Sequence, residues 1–332
     1  MPQNPKFFST GTLVELSARV EEGLPFAPNK LTRKLTENVL ARAQTIYPVT
    51  IVAYVFMPNH FHILIVVKDP RDVPNFVEYL KRETAYCVNR LLGRRKHTVW
   101  CDGYDSPVIL DLETAIRRLK YVYLNPVTAV LVKKAKLWPL SSMSWAMISD
   151  AASEIKVKRI PRNQVNKLPN RDMTLDEINK FASKIEYRGA DIYTLKIEPN
   201  AWMGCFTEAL NRDQKDLNNI LEIEIKNTET LIEKEKADSF PSLDQLGTQN
   251  IRKEHEPKKA GKRMICLGKN KNIRIKFLEW FRGLCKKLPR YLRKSTDEVI
   301  YRPSHYPPGF FAPGGFLSAN LIPYQTPFNV IG

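Results

Sequence analysis

Hydrophobic and polar positions along the first third of the chain follow two alternating patterns. Short β-branched or aromatic runs predict strands at residues 12–20, 50–57 and 60–67 and within 99–110. Apolar residues three or four positions apart predict helices at residues 31–46, 73–91 and 112–125. Pro58 and Asn59 lie between the second and third strands, which are therefore expected to form a hairpin.

The order of these elements is βαββαβα, which predicts an α+β, ferredoxin-like sandwich over residues 1–148. Asp111 is a suitable N-cap for the last helix of this unit. That helix is expected to end at Asn125, because Pro126 disfavours helical geometry at the residue before it. Since many functions share this fold, the function must be inferred from particular side chains.

The C-terminal half of the chain is more polar and carries helical signals. Residues 149–172 are predicted to form a linker, and residues 173–300 a mainly helical, basic extension. Thr174 and Glu177 have the spacing of a capping box, which predicts the start of a helix. Residues 301–332 are rich in Pro, Gly and aromatic residues, so an extended tail is expected there.

The charge of the chain indicates a polyanionic partner. Its formal net charge is +17, and residues 251–294 hold 16 Lys or Arg and 3 Asp or Glu, a local net charge of +13. Lysines and arginines on phosphates release bound counterions, which suits such a partner. Charge alone does not separate DNA from RNA or from an anionic membrane surface. Apolar residues recur at helical spacing in this region, and the basic residues between them are candidate DNA contacts: Arg274, Arg282, Lys286 and Lys287. The alternatives are a solvated basic helix, or one that binds a second subunit in a homodimer.

The remaining composition excludes several classes of protein. A hydrophobic share of 43% allows a packed core, so the chain is not disordered throughout. The five cysteines lack metal-ligand spacing, and their odd number argues against a disulfide framework. No apolar run is long enough to span a bilayer. We therefore expect a cytoplasmic protein with no membrane partner.

Two histidines are candidates for binding a metal. His60 and His62 are two residues apart on a predicted strand, so both imidazoles project from the same face. Such a pair can hold a divalent ion on a rigid element. The alternative is one surface histidine and one core histidine with ordinary hydrogen bonds.

A tyrosine and an asparagine share one face of the predicted helix at 112–125. Tyr121 and Asn125 are four residues apart, and an amide oxygen suits hard ions such as Mg²⁺ or Mn²⁺. A metal-polarised DNA phosphate beside Tyr121 could be attacked by its hydroxyl. The alternative is an aromatic residue packed on the sheet and an asparagine at the helix C-cap. Tyr123 is the rival nucleophile: it lies roughly 200° around the helix from Tyr121, so only one of the two can face the histidines, and Asn125 favours Tyr121. Arg117 could also face the site and bind phosphate, or it could be an ordinary solvated arginine.

These residues also carry a family resemblance. Residues 57–64, Met-Pro-Asn-His-Phe-His-Ile-Leu, resemble the histidine–hydrophobic–histidine strand of single-tyrosine HUH transposases, in particular REP-associated tyrosine transposases. Residues 121–132 resemble their catalytic-helix motif, and 138–142 the segment that follows it. Val99-Trp100 and Tyr104 also fall where that family has a Trp and a Tyr, and the resemblance covers about residues 10–148. Val130 replaces a glycine of the family, and the C-terminal half has no counterpart in its short members.

The resemblance implies an HUH nuclease fold and a specific reaction. His60 and His62 would bind the metal, Asn125 would be a further ligand, and Tyr121 would be the nucleophile. The implied reaction forms a 5′-phosphotyrosine link, frees a 3′-OH, and rejoins strands in a second transesterification. The implied substrate is single-stranded DNA beside an imperfect hairpin.

Two other functions remain open from the sequence. One is a non-catalytic nucleic-acid-binding protein of ferredoxin-like fold, which would place stacking aromatics on the sheet face that carries His60 and His62. The other is a metal phosphoesterase that forms no covalent link to DNA.

Overall fold

The computed structural model describes residues 6–95, 97–146, 148–185, 191–249, 251 and 264–292. Its strands are β1 (Leu13–Arg19), β2 (Thr50–Met57), β3 (His60–Val66), β4 (Val108–Ile109), β5 (Ser153–Lys158), β6 (Ile192–Ile197) and β7 (Cys266–Leu267). Its helices are α1 (Lys30–Ile46), α2 (Asp72–Leu92), α3 (Leu112–Thr128), α4 (Leu175–Ser183), α5 (Thr207–Leu210), α6 (Gln214–Glu235), α7 (Leu243–Gly247) and α8 (Lys271–Leu292).

The strands form one mixed sheet in the order β5-β6-β2-β3-β1-β4-β7. Neighbours pair antiparallel except β2 with β6 and β4 with β7. The elements from β1 to α3 follow the predicted βαββαβα order, and a mainly helical extension follows them. The predicted α+β fold class is confirmed.

The sheet is wider than the sequence patterns predict. β5 lies inside the predicted linker at 149–172 and pairs with β6 along its whole length, so this stretch belongs to the sheet. Ile155 and Val157 pack against the core from one face of β5, while charged residues occupy the other. Because three of its six residues are charged, the sequence of β5 resembles a polar linker. The proposed division into domains stays a prediction, and the tail predicted at 301–332 lies outside the described residues.

Helices cover both faces of the central strands. Phe61 of β3 contacts Trp100 at a ring-centroid distance of 5.2 Å, and the Trp100 indole N–H donates to Thr84 of α2. His62 of β3 points to the opposite face and contacts Tyr121 of α3. α1 packs beside α2, whereas α6 packs on α3. The period-two alternation of β3 therefore separates a hydrophobic face from a polar one.

The segment after α3 is fixed to β2. Trp138 is fully buried, and its indole N–H donates to the carbonyl of Phe56 at 2.8 Å. The Phe56 amide donates to Leu140, and the Ser142 hydroxyl accepts from the Tyr54 amide. These bonds hold residues 138–142 against β2.

The end of α3 differs from the expectation. The helix runs to Thr128 with Pro126 inside it, so the predicted end at Asn125 is wrong. Proline removes only its own amide donor, and the Asn125 carbonyl still accepts the Ala129 amide at 3.1 Å. The fully buried Val127 ties this last turn to the core.

The residue that replaces the family glycine has a left-handed backbone. Val130 has a φ of 56° and is the non-glycine residue with positive φ in the described chain. Its amide donates to Val127, and the Leu131 amide donates to Pro126, which is the Schellman pattern at a helix end. A β-branched side chain is strained in this conformation.

Val130→Gly is therefore expected to raise the free energy of unfolding by about 0.5–1 kcal/mol. Relief of left-handed strain, worth about 1–2 kcal/mol, exceeds the added chain entropy of glycine. Thermal unfolding should show a rise in Tm of about 2 °C. Ala129→Gly is the matched control, because Ala129 has a φ of −79° and gains nothing from glycine. An equal loss of stability in both variants would contradict the strain.

The basic extension is attached to the sheet edge next to the start of α3. The Asp111 carboxylate accepts the Thr114 amide at 2.8 Å, as an N-cap, and the Lys269 amide at 2.7 Å. Burial raises the pKa of Asp111, but these hydrogen bonds outweigh it and the pKa lies below its usual value. Further along α8, Trp280 packs edge-on against Phe7 with ring centroids 4.9 Å apart. One carboxylate thus joins the beginnings of α3 and α8.

The structure describes all five cysteines and most of the helical residues. All five cysteines are free thiols. None of the helices in the described ranges has both the length and the apolar character needed to cross a membrane.

Candidate active site

The two histidines and the predicted nucleophile come together on the polar face of the sheet. The rings of His60 and His62 lie 5.2 Å apart, centroid to centroid. The ring of Tyr121 lies 5.1 Å from that of His62, and its hydroxyl oxygen is 3.5 Å from His62 Nε2. Residues separated by almost sixty positions therefore form one cluster.

The hydrogen bonds of both histidines leave the same ring nitrogen available. His60 Nδ1 lies 2.8 Å from the Asn59 side-chain oxygen, and His62 Nδ1 lies 2.8 Å from Glu15 Oε1. An oxygen at Nδ1 favours the tautomer whose Nε2 carries a lone pair. Burial, His62 and Arg19 together lower the pKa of His60 to about 3, so this imidazole is neutral at pH 7. Neutral imidazoles are the form that binds metals.

Glu15 is a site residue that the sequence patterns did not predict. It lies on β1, where Ser17 is directly opposite His62, so Glu15 shares the face of the histidines. Its carboxylate is buried and accepts hydrogen bonds from His62 and from two nitrogens of Arg118, each of the latter at 2.5 Å. Burial raises the pKa of Glu15, but the bonds to His62 and Arg118 outweigh this, and the pKa is lowered.

Arg118 links this carboxylate to the tyrosine. Its guanidinium carbon lies 4.0 Å from the centroid of the Tyr121 ring, within cation–π range. The arginine predicted for this site was its neighbour, Arg117. In the described residues Arg117 is exposed, and its guanidinium lies 3.2 Å from the Thr114 hydroxyl rather than in the cluster.

The two tyrosines of α3 differ in their access to solvent. Tyr121 is 38% exposed, whereas Tyr123 is 3% exposed and lies in the core. Burial raises the pKa of Tyr123 well above its usual value, which disfavours its ionised form. Access therefore favours Tyr121 as the reactive residue of the pair.

Asn125 lies one turn beyond Tyr121 and is buried. Its amide nitrogen has no hydrogen-bond partner, which is costly for a buried polar group. A ligand that binds the amide oxygen and brings its own acceptors would explain such a side chain. No hydrogen bond joins the Asn125 side chain to His60 or His62 in the described part of the chain.

The donor set fits an open metal site. In the described ranges no group of three or more His, Cys, Asp or Glu residues is placed to hold a metal ion, so a closed structural zinc site is absent there. His60 Nε2, His62 Nε2 and the Asn125 amide oxygen would provide at most three protein ligands. The remaining positions would suit phosphate oxygens and water, as hard divalent ions prefer.

Comparison with known proteins shows which family one stretch of the chain resembles. Residues 27–122 match the model of a family described as "Transposase IS200 like". The predicted resemblance to transposases is confirmed. This stretch contains both histidines and Tyr121, and it ends before Asn125. A solved structure described as a REP-associated tyrosine transposase bound to a REP hairpin is similar at 17% identity and a TM-score of 0.35, over 43% of this chain and 82% of that one. No curated protein matches the chain.

The predicted basic helix lies outside the transposase-like stretch, in α8. Phe277, Phe281 and Leu284 are buried, which confirms the predicted amphipathic pattern. Arg274, Arg282 and Lys286 are exposed, and none of them forms an ion pair within the described residues. Lys287 lies in α8, but its side chain is outside the described set.

Proposed function

We propose that this protein is a DNA transposase that cuts single-stranded DNA with Tyr121 and joins strands through a 5′-phosphotyrosine intermediate. The observation that carries the proposal is the position of the exposed Tyr121 hydroxyl, 3.5 Å from Nε2 of His62. Similarity to IS200-like transposases over residues 27–122 supports it. DNA with a hairpin beside the cut is the proposed substrate.

Each side chain of the cluster has a distinct task in this reaction. A divalent ion such as Mg²⁺ or Mn²⁺, held by His60, His62 and Asn125, would polarise the scissile phosphate and stabilise its developing negative charge. Glu15 holds the His62 ring so that Nε2 faces the site. The Arg118 guanidinium lies over the Tyr121 ring and holds this side chain beside His62.

The chemistry conserves the number of phosphodiester-type bonds. The Tyr121 oxygen bonds to phosphorus while the bond from phosphorus to the 3′ oxygen breaks, and that oxygen leaves with a proton as a 3′-OH. In the second step a 3′-OH attacks the phosphotyrosine, its bond to tyrosine breaks, and Tyr121 regains a proton. No external energy source is needed, because each step exchanges one phosphate ester for another.

The arrangement of the sheet argues against simple RNA-recognition binding. Such binding needs an open sheet face with stacking aromatics. Here the polar face carries Glu15, His60 and His62, and α3 packs over it. We therefore place the catalytic function first.

The proposal can be tested with labelled oligonucleotides that carry a hairpin and a randomised single-stranded flank. With Mg²⁺ or Mn²⁺ we expect a protein–DNA adduct on a denaturing gel, and a released fragment ending in 3′-OH. EDTA should abolish both products. Cleavage without any adduct would indicate a phosphoesterase, and binding without cleavage would indicate a binding protein.

The exposed basic residues of α8 are proposed to hold the DNA duplex stem. Changing Arg274, Arg282 and Lys286 together to glutamine should weaken hairpin binding and reduce the slope of log K against log salt by about 2–3, because fewer counterions are released. The effect should be similar for all hairpin sequences, since phosphate contacts do not read bases. Binding is measured by fluorescence anisotropy between 50 and 300 mM salt, chosen as roughly the range in which such slopes are linear.

A matched control uses three exposed lysines elsewhere, changed together to glutamine: Lys158, Lys215 and Lys226. Point changes are preferable to truncation before residue 249, because truncation would remove β7 from β4 and uncover apolar residues packed by α8. Equal salt slopes in the two triple variants would contradict a DNA contact at α8.

A further inference from the structure

α6 carries two apolar stripes, only one of which has a partner in the described structure. The first stripe, with Leu217, Leu221 and Ile225, is buried where α6 packs on α3. The second contains Ile220, Ile223 and Leu231, which are 39%, 58% and 59% exposed. Branched apolar side chains on the outside of a helix indicate an interaction surface when they are contiguous.

The second stripe is contiguous by helical geometry. Ile220, Ile223, Asn227 and Leu231 follow one another at intervals of three or four residues, so they lie within one sector of the helix. This is the spacing by which one helix packs along another, and a polar residue within such a seam fixes its register. All four residues are exposed.

Charged residues at the two ends of the stripe favour an antiparallel second copy of α6 as its partner. Asp216 continues the stripe at its beginning and Lys234 at its end, and both are exposed. Neither forms an ion pair within the described residues. A second α6 in parallel would place like charges together. An antiparallel α6 instead places Asp216 of each copy opposite Lys234 of the other.

We propose that two copies of this chain associate through antiparallel contact between their α6 helices. The two-fold axis crosses the seam at the level of residue 225 along the helix, so that Ile223 of one copy lies near Asn227 of the second copy and Ile220 near Leu231. The seam from Asp216 to Lys234 is about 27 Å long. Such an interface is small, and a dissociation constant in the micromolar range, roughly 1–100 µM, is expected. The inference does not depend on the proposed reaction.

Sedimentation velocity on the full-length chain, from about 1 to 200 µM, tests the interface. The wild type should shift from monomer to dimer. Ile223→Lys should remain monomeric, because it places a charge in the centre of the seam. Ile46→Lys is the control: Ile46 is 47% exposed on α1, outside the stripe, and its substitution should leave the dimer unchanged. Circular dichroism checks that each variant is folded.

Charge reversal tests the antiparallel orientation. Asp216→Lys and Lys234→Asp should each weaken the dimer at least about tenfold, since each places like charges together at both ends. An equimolar mixture of these two variants should recover the dimer, because every end then pairs opposite charges. A wild type that is monomeric throughout, a dimer insensitive to Ile223→Lys, or a mixture no stronger than its components would each overturn the proposal.

Discussion

Tyr121→Phe is expected to lower the rate of DNA cleavage by at least about 10⁴-fold and to abolish the covalent adduct. The substitution removes only the attacking oxygen. The ring remains, with its contacts to His62 and to the Arg118 guanidinium. Folding and hairpin binding should therefore persist. The measurement compares single-turnover cleavage with hairpin affinity in the same preparation.

Tyr123→Phe is the matched control for this change. Tyr123 is on the same helix but lies in the core, so its hydroxyl has no access to a DNA phosphate. Cleavage by this variant should stay within about twofold of wild type, with a modest loss of stability. An adduct formed by Tyr121→Phe and not by Tyr123→Phe would reverse the assignment of the nucleophile.

Loss of either histidine should have the second largest effect. His60→Ala or His62→Ala is expected to remove detectable cleavage and to weaken Mn²⁺ binding by at least about tenfold, because each variant lacks one of two imidazole ligands. Isothermal titration calorimetry measures the metal affinity without any reaction. His97→Ala is a suitable control, since His97 is exposed and interacts with Glu22 and Thr98 outside the site.

Glu15→Gln tests the same metal site with a milder change, because it leaves both histidines in place. Glutamine keeps the size of the side chain but not its charge, so the His62 ring loses its carboxylate partner and Arg118 loses its counterion. Mn²⁺ affinity should fall about 10–100-fold, the usual cost of losing a partner behind a metal-binding histidine. Wild-type Mn²⁺ affinity in both His62→Ala and Glu15→Gln would show that these residues do not form a metal site.

The local parts of the fold could be predicted because they depend on nearby residues. β2 spans the predicted residues 50–57, and Asp111 caps α3 as expected. β5, β6 and β7 were not predicted. Charged residues alternate with apolar ones in β5, and β7 has only two residues. The partner of β7 is β4, more than 150 residues earlier in the chain. Such pairings leave no signal within a short window.

The residues of the candidate site also divide into those predicted from local spacing and those that depend on distant parts of the chain. The spacing of His60 and His62 is local, and it placed both on one strand face. Glu15 needs the register between β1 and β3, which the sequence does not reveal. Arg117 and Arg118 are four and three residues before Tyr121, so helical spacing alone cannot choose between them. The structure distinguishes them, because Arg118 donates a hydrogen bond to the buried carboxylate of Glu15.

The nucleophile can be assigned by identifying the residue that carries DNA in the covalent adduct. The adduct formed with hairpin oligonucleotides and Mg²⁺ is trimmed with nuclease, digested with protease and sequenced by tandem mass spectrometry. We expect a nucleotide joined through its 5′ phosphate to Tyr121. A modification on Tyr123 or on another residue, or cleavage with no modified peptide, would contradict it.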